Sequence, residues 1–217
     1  MFAELNELLN ASPDRPAQGT LTLLRDTRTD GSFLVHHFLS FYLRAGCKVC
    51  FVALVQSFSH YNIIAQKLGV SLTTAKDRGQ LVFLEGLKSC LDLLFGEEQH
   101  VGQTSPLQFI SKEGSNLKTM YEFVRTSLMP SDSDSWKCPV LLVDDLSVLL
   151  SLGVKAVDIL DFIHYCRVTV CSQLKLKIIQ KGPSALRTER NLPRIYQYKI
   201  QDKNVTFFAR GMSAAVL

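Results

Sequence analysis

Two runs constrain this chain more than any others: "KVCFVALVQ" (48–56) and "CPVLLVDDLSVLLSLGV" (138–154). Both are apolar without strict alternation, the pattern of a strand covered on both faces inside a parallel sheet. "GTLTLLRD" (19–26) and "GQLVFLEGL" (79–87) are further strand candidates, and "RVTVCSQ" (167–173) and "LKLKIIQK" (174–181) add two more. Helical segments alternate with them. "SFLVHHFLSFYLRAG" closes on Gly46 and "SHYNIIAQKLG" on Gly69, the latter with Ser57 or Ser59 as N-cap. "NLKTMYEFVRTSL" places Leu117, Met120, Tyr121, Val124 and Leu128 on one side, and "VKAVDILDFIHYCR" is amphipathic. The last run, "RIYQYKIQDKNVTFFARG", alternates around a polar turn and reads as a β-hairpin. The expectation is an α/β sandwich with a mainly parallel central sheet and the C-terminal hairpin antiparallel at one edge.

At 217 residues, with 47% hydrophobic content and no internal repeat, the chain reads as a single domain over 1–217. No apolar run reaches the roughly 18 residues of a membrane span. Glu4 and Glu7 stand where a signal peptide would be basic. Six scattered cysteines suggest reduced, buried thiols and an intracellular setting, cytoplasmic with the nucleus as a second location. "CKVC" (47–50) has redox spacing without a second copy and reads as structural. Charge is uneven: residues 1–171 hold 15 Lys+Arg against 18 Asp+Glu, and residues 172–217 hold 9 against 2. The basic end suits an acidic partner or simple solvation equally well.

The stretch "LTLLRDTRTDGSFLVHHFL" has the strand–loop–helix layout of a P-loop, G-x-x-x-x-G-K-[ST], whose backbone N–H groups, lysine and hydroxyl hold phosphate and magnesium. Setting Gly31 as the second glycine puts Asp26 in place of the first, Ser32 in place of the lysine and Phe33 in place of the hydroxyl residue. No lysine occurs before Cys47, so no other register repairs it. Asp26, Thr27, Arg28, Asp30, Gly31 and Ser32 thus form a degenerate Walker A loop, with two aspartates where phosphate would lie. "VLLVDD" fits a Walker B strand, ending in Asp144 and Asp145. Together they indicate a RecA-type or related P-loop fold without nucleotide chemistry, cofactor or metal. His36, His37 and His60 lack ligand spacing and read as core or surface residues. No catalytic residue is expected.

Four stretches carry a family resemblance: "VALVQSFSHYNIIAQKLGV", "PVLLVDDLSVLLSLGV", "DFIHYCR" and "YQYKIQDKNVTFFARGMSAAVL". They resemble the Elongator complex protein 6 family, in wording that looks mammalian. The likeness runs from Met1 to about Cys171 and resumes near Tyr196. It implies a RecA-like subunit without a working Walker A. It further implies a hetero-hexameric ring with the fourth and fifth Elongator subunits, attached to the catalytic core that modifies the wobble uridine (U34) of tRNA. On the same resemblance, the ring is expected to bind tRNA and not to be a membrane component. Family members are longer after the "HYCR" helix, so 172–194 is an atypical basic connector here. Its Lys175, Lys177, Lys181, Arg187, Arg190 and Arg194 are the tRNA-contact candidates. Two other readings stay open: a protein-interaction scaffold that never touches RNA, and a nucleotide hydrolase in which Arg25 or Arg28 replaces the lysine.

Overall fold

The computed structural model describes residues 3–8, 19–24, 30–86, 88–89, 117–129, 136–169, 177–181, 196–200 and 205–209. Five parallel strands form the central sheet: β1 (Leu21–Leu24), β2 (Cys47–Ala53), β3 (Leu81–Glu85), β4 (Lys137–Val143) and β5 (Lys177–Lys181). Their order is β1-β5-β4-β2-β3, so the last strand inserts between β1 and β4. Among the described residues this sheet is wholly parallel.

The unbroken apolar character of β2 follows from its place between β4 and β3, with helices on both faces. Val49, Phe51 and Ala53 point to one face with Val140, Leu142 and Ile179. There they meet α2 (Phe33–Arg44), α3 (Phe58–Lys67) and α4 (Leu72–Asp77) through Leu39, Tyr42, Tyr61 and Leu72. Cys50, Val52, Leu141 and Val143 point to the other face. There they meet α5 (Lys118–Leu128), α6 (Ser147–Ser151) and α7 (Ala156–Cys166). The α5 stripe behaves as its spacing predicts: Leu117, Met120, Val124 and Leu128 are buried, and Tyr121 is half-buried. Burying side chains of this size contributes about 2 kcal/mol each, so the two-faced strands carry most of the cohesion.

Local chemistry sets the boundaries. Gly46 follows α2 at φ +76°, a left-handed turn that glycine enters without strain, and β2 starts at once. Ser57 rather than Ser59 caps α3, its Oγ accepting from the His60 N–H at 3.3 Å. At the exit of β3, a Cβ on Gly86 would lie 2.7 Å from Leu54 Cδ2 and 2.8 Å from the Ala53 carbonyl oxygen. Only glycine lets β3 leave the sheet this close to the end of β2.

Three expectations need correction. The apolar run beginning at Cys138 is not one strand: β4 stops at Val143, and Ser147–Ser151 turn into α6, burying Leu146 and Leu149 beneath the sheet. "RVTVCSQ" does not open with a strand, because α7 continues through a helical turn over 167–169; its residues 170–173 lie outside the described set. The C-terminal hairpin, β6 (Tyr196–Ile200) and β7 (Val205–Ala209), forms its own two-stranded antiparallel sheet instead of extending an edge. It packs through side chains: Tyr198 and Phe207 stand 5.1 and 6.3 Å, ring to ring, from Phe33 at the start of α2. The short α1 (Ala3–Leu8) joins the same corner, where Asn6 Oδ1 lies 2.9 Å from His37 Nε2.

Candidate functional site

The carboxyl ends of β1, β5, β4 and β2 open on one rim, the place where open α/β sheets bind ligands. The P-loop-like segment leaves β1 there and enters α2, and Asp144 and Asp145 follow β4 on the same rim. Asp26, Thr27 and Arg28 lie outside the described residues; Asp30, Gly31 and Ser32 are described.

The first turn of α2 already has an anion. Asp30 accepts from the Ser32 backbone N–H at 2.9 Å and from the Ser32 hydroxyl at 2.7 Å. A phosphate in a working loop would use the same donors and the same positive end of the helix dipole. The Walker A hydroxyl position holds Phe33, whose ring faces the hairpin. α3 shows a parallel arrangement, with Glu85 at the end of β3 accepting from the Phe58 N–H at 3.1 Å. Each of these two helix N-termini thus carries an acid from its own chain.

Asp144 is committed more deeply still. It is 2% exposed and accepts from four donors: the Leu54 N–H at 2.8 Å, the Val55 N–H at 2.8 Å, the Tyr61 hydroxyl at 2.8 Å and the Asp145 N–H at 2.7 Å. A Walker B acid holds a magnesium-bound water, which requires free lone pairs facing the phosphates. Here they face the β2–α3 turn. Burial raises the Asp144 pKa, while the hydrogen bonds from Leu54, Val55 and Tyr61 oppose the rise. The Tyr61 hydroxyl is pushed upward by burial and by Asp144, so it stays a donor. Asp145 turns away from Asp144 and caps α6, accepting from the Ser147 N–H at 2.8 Å and from the Ser147 hydroxyl.

The rim also gathers residues that the sequence kept apart. The His36 ring lies 5.1 Å from Tyr61 and 5.8 Å from His60, joining α2 to α3. Burial, then His60, lowers the His36 pKa to about 4, with Asp30 acting the other way. At neutral pH this imidazole is uncharged and offers phosphate no cation. Among the described residues, no group of three or more His, Cys, Asp or Glu is arranged to hold a metal ion.

Of the predicted tRNA contacts, Lys175, Arg187, Arg190 and Arg194 lie outside the described residues. Lys177 and Lys181 fall on β5, paired in register with Val140 and Leu24. Four residues of strand separate them by about 13 Å, so only Lys181 belongs to the rim. The rim's missed member is Tyr61, whose partner Asp144 is 83 positions away. The available clue was physical: a buried acid after a strand must find donors, and the β2 exit is its neighbour.

The fold is of the RecA type, an α/β sandwich around a parallel sheet. It is similar to a KaiC-like protein of the hyperthermophilic archaeon Pyrococcus horikoshii OT3, with TM-score 0.51 over 88% of this chain and 78% of that one, at 13% identity. A family model described as Elongation complex protein 6 matches residues 2–181. Proteins named Elongator complex protein 6 from Xenopus laevis and Homo sapiens are 53% and 52% identical to it, over 266 and 269 aligned positions spanning all of both chains. The chain belongs to the Elongation complex protein 6 family. Its 217 residues are fewer than the aligned positions, so these relatives carry residues without a counterpart here. The family match ends at residue 181, the last residue of β5, so the 172–194 stretch read from the sequence as a connector contains a strand of the central sheet.

Proposed function

We propose that this chain is a non-catalytic RecA-like subunit of the Elongator accessory ring. It assembles with the fourth and fifth subunits into a hetero-hexamer that binds and releases tRNA for wobble uridine (U34) modification by the catalytic core. One observation carries the non-catalytic part: the acid that would serve magnesium is spent on Leu54, Val55 and Tyr61. The family name carries the complex. The rim then works as a rigid joint between the two helical layers. Affinity for tRNA comes from Lys and Arg contacts to phosphate distributed round the ring, so it falls steeply with salt.

Two measurements test this reading. Co-expression with the fourth and fifth subunits should yield one co-eluting complex, and a monomer indifferent to both would refute it. Calorimetry with ATP and magnesium should show no saturable binding to the isolated chain. Micromolar affinity abolished by Arg28→Ala would instead favour a hydrolase with an unorthodox loop. Crosslinking of tRNA to this chain within the ring separates direct contact from a scaffold role.

A further inference from the structure

A groove of about 320 Å³ runs between α5 and α7, in the helical layer on the far side of the sheet from α2 and α3. Phe162, 2% exposed, forms its floor. Tyr121 and Tyr165 form its walls, with ring centroids 5.9 Å apart. Val157, Asp161 and Tyr165 recur at i, i+4 and i+8 along the outward side of α7. Val157 is 57% and Tyr165 58% exposed, at positions where a helix facing only water would be polar.

The ionisable lining is acidic. Glu122, Asp158 and Asp161 stand against the single cation Lys118, in a chain whose formal net charge is +4. Glu122 is already shared with Arg125 at 3.2 Å, whereas Asp158 and Asp161 have no ion-pair partner among the described residues. Carboxylates of this density repel a nucleic-acid backbone and attract Lys or Arg, whose aliphatic stems pack along tyrosine rings.

We propose that the α5–α7 groove is a docking surface for a cationic, amphipathic helical segment of a partner protein. Its apolar side chains lie over Val157 and Tyr165, and its Lys or Arg side chains reach Asp158 and Asp161. α7 has 11 residues, about three turns, so it matches a partner segment of similar length in the helix-in-groove mode. This surface is separate from the rim and does not depend on the ring reading.

The test uses the full chain and two labelled helical peptides of roughly 14 residues with apolar residues at i, i+3, i+4 and i+7. One carries Lys at its polar positions and the other Glu. Fluorescence anisotropy should show saturable binding of the Lys peptide alone. Tyr165→Ala should weaken it, and the double variant Asp158→Lys/Asp161→Lys should weaken it roughly tenfold. These side chains are solvent-facing or half-buried, and circular dichroism confirms that each variant is folded. Equal binding of both peptides, no binding, or indifference to the double variant overturns the proposal. So does a self-association that Tyr165→Ala abolishes, which would make the groove a contact between copies. RNA binding weakened by the same variants would overturn it as well.

Discussion

The loop before α2 and the end of β4 stand where a P-loop fold would place the two halves of a nucleotide site, and each holds an acid by different means. At the loop, Asp30 bonds a residue two positions away and is exposed to water. At the strand end, Asp144 is buried and bonds residues 83 to 90 positions away. One is a local cap and the other a tertiary knot tying β4 to the β2–α3 turn. The loop therefore decides only how α2 begins, while the strand end decides whether two strands and a helix stay in register. A substitution at the loop is confined to the start of α2, whereas one at the strand end reaches β4, β2 and α3 together.

The contrast can be broken by measurement, starting where the effect is greatest. Asp144→Ala leaves the buried Leu54 N–H and Tyr61 hydroxyl, and the part-buried Val55 N–H, without their acceptor, which should cost about 3–5 kcal/mol in chemical denaturation. A loss near that of an exposed cap would erase the distinction between the two halves. Next in size is a pH effect one turn into α2. Burial holds His37 near pKa 4, below its ordinary 6.5. Above pH 6.5 the ring is neutral in both states and its contribution is fully present. As pH falls through 6.5 towards 4, the unfolded chain takes up a proton that the folded chain refuses, and up to ~3 kcal/mol is lost. His37→Gln should flatten that slope. Tyr61→Phe removes one donor from Asp144 and should cost about 1 kcal/mol by thermal denaturation, without altering the far-ultraviolet spectrum. Asp30→Ala should cost least, about 0.5 kcal/mol, since water replaces an exposed cap.

Strands and helices were legible wherever one periodicity ran without competition. β2, α2, α5 and α7 follow their hydrophobic spacing closely, and the degenerate loop was readable because its missing lysine and glycine are visible as letters. The error at Ser147–Ser151 arose because Val148, Leu149 and Leu150 continue the apolar run of β4, and short apolar runs do not distinguish strand from helix. The hairpin was recognised, but its attachment depends on Phe33 meeting Tyr198 and Phe207 across more than 160 positions. No local pattern encodes that meeting. The role of Asp144 was hidden for the same reason: sequence shows the acid, and only the folded chain shows its donors.

Cys47 and Cys50 share β2 but belong to different hydrophobic clusters, one on each face of the sheet. Burial pushes the Cys50 thiol up to about 12, leaving it almost wholly protonated at neutral pH. In single-cysteine variants the pair becomes two clocks on one strand. Thiol labelling at position 47 times the opening of the α2–α3–α4 layer, and labelling at position 50 times that of the α5–α6–α7 layer. Unequal rates would show that the two layers come apart in sequence, whereas equal rates would show a single cooperative unit.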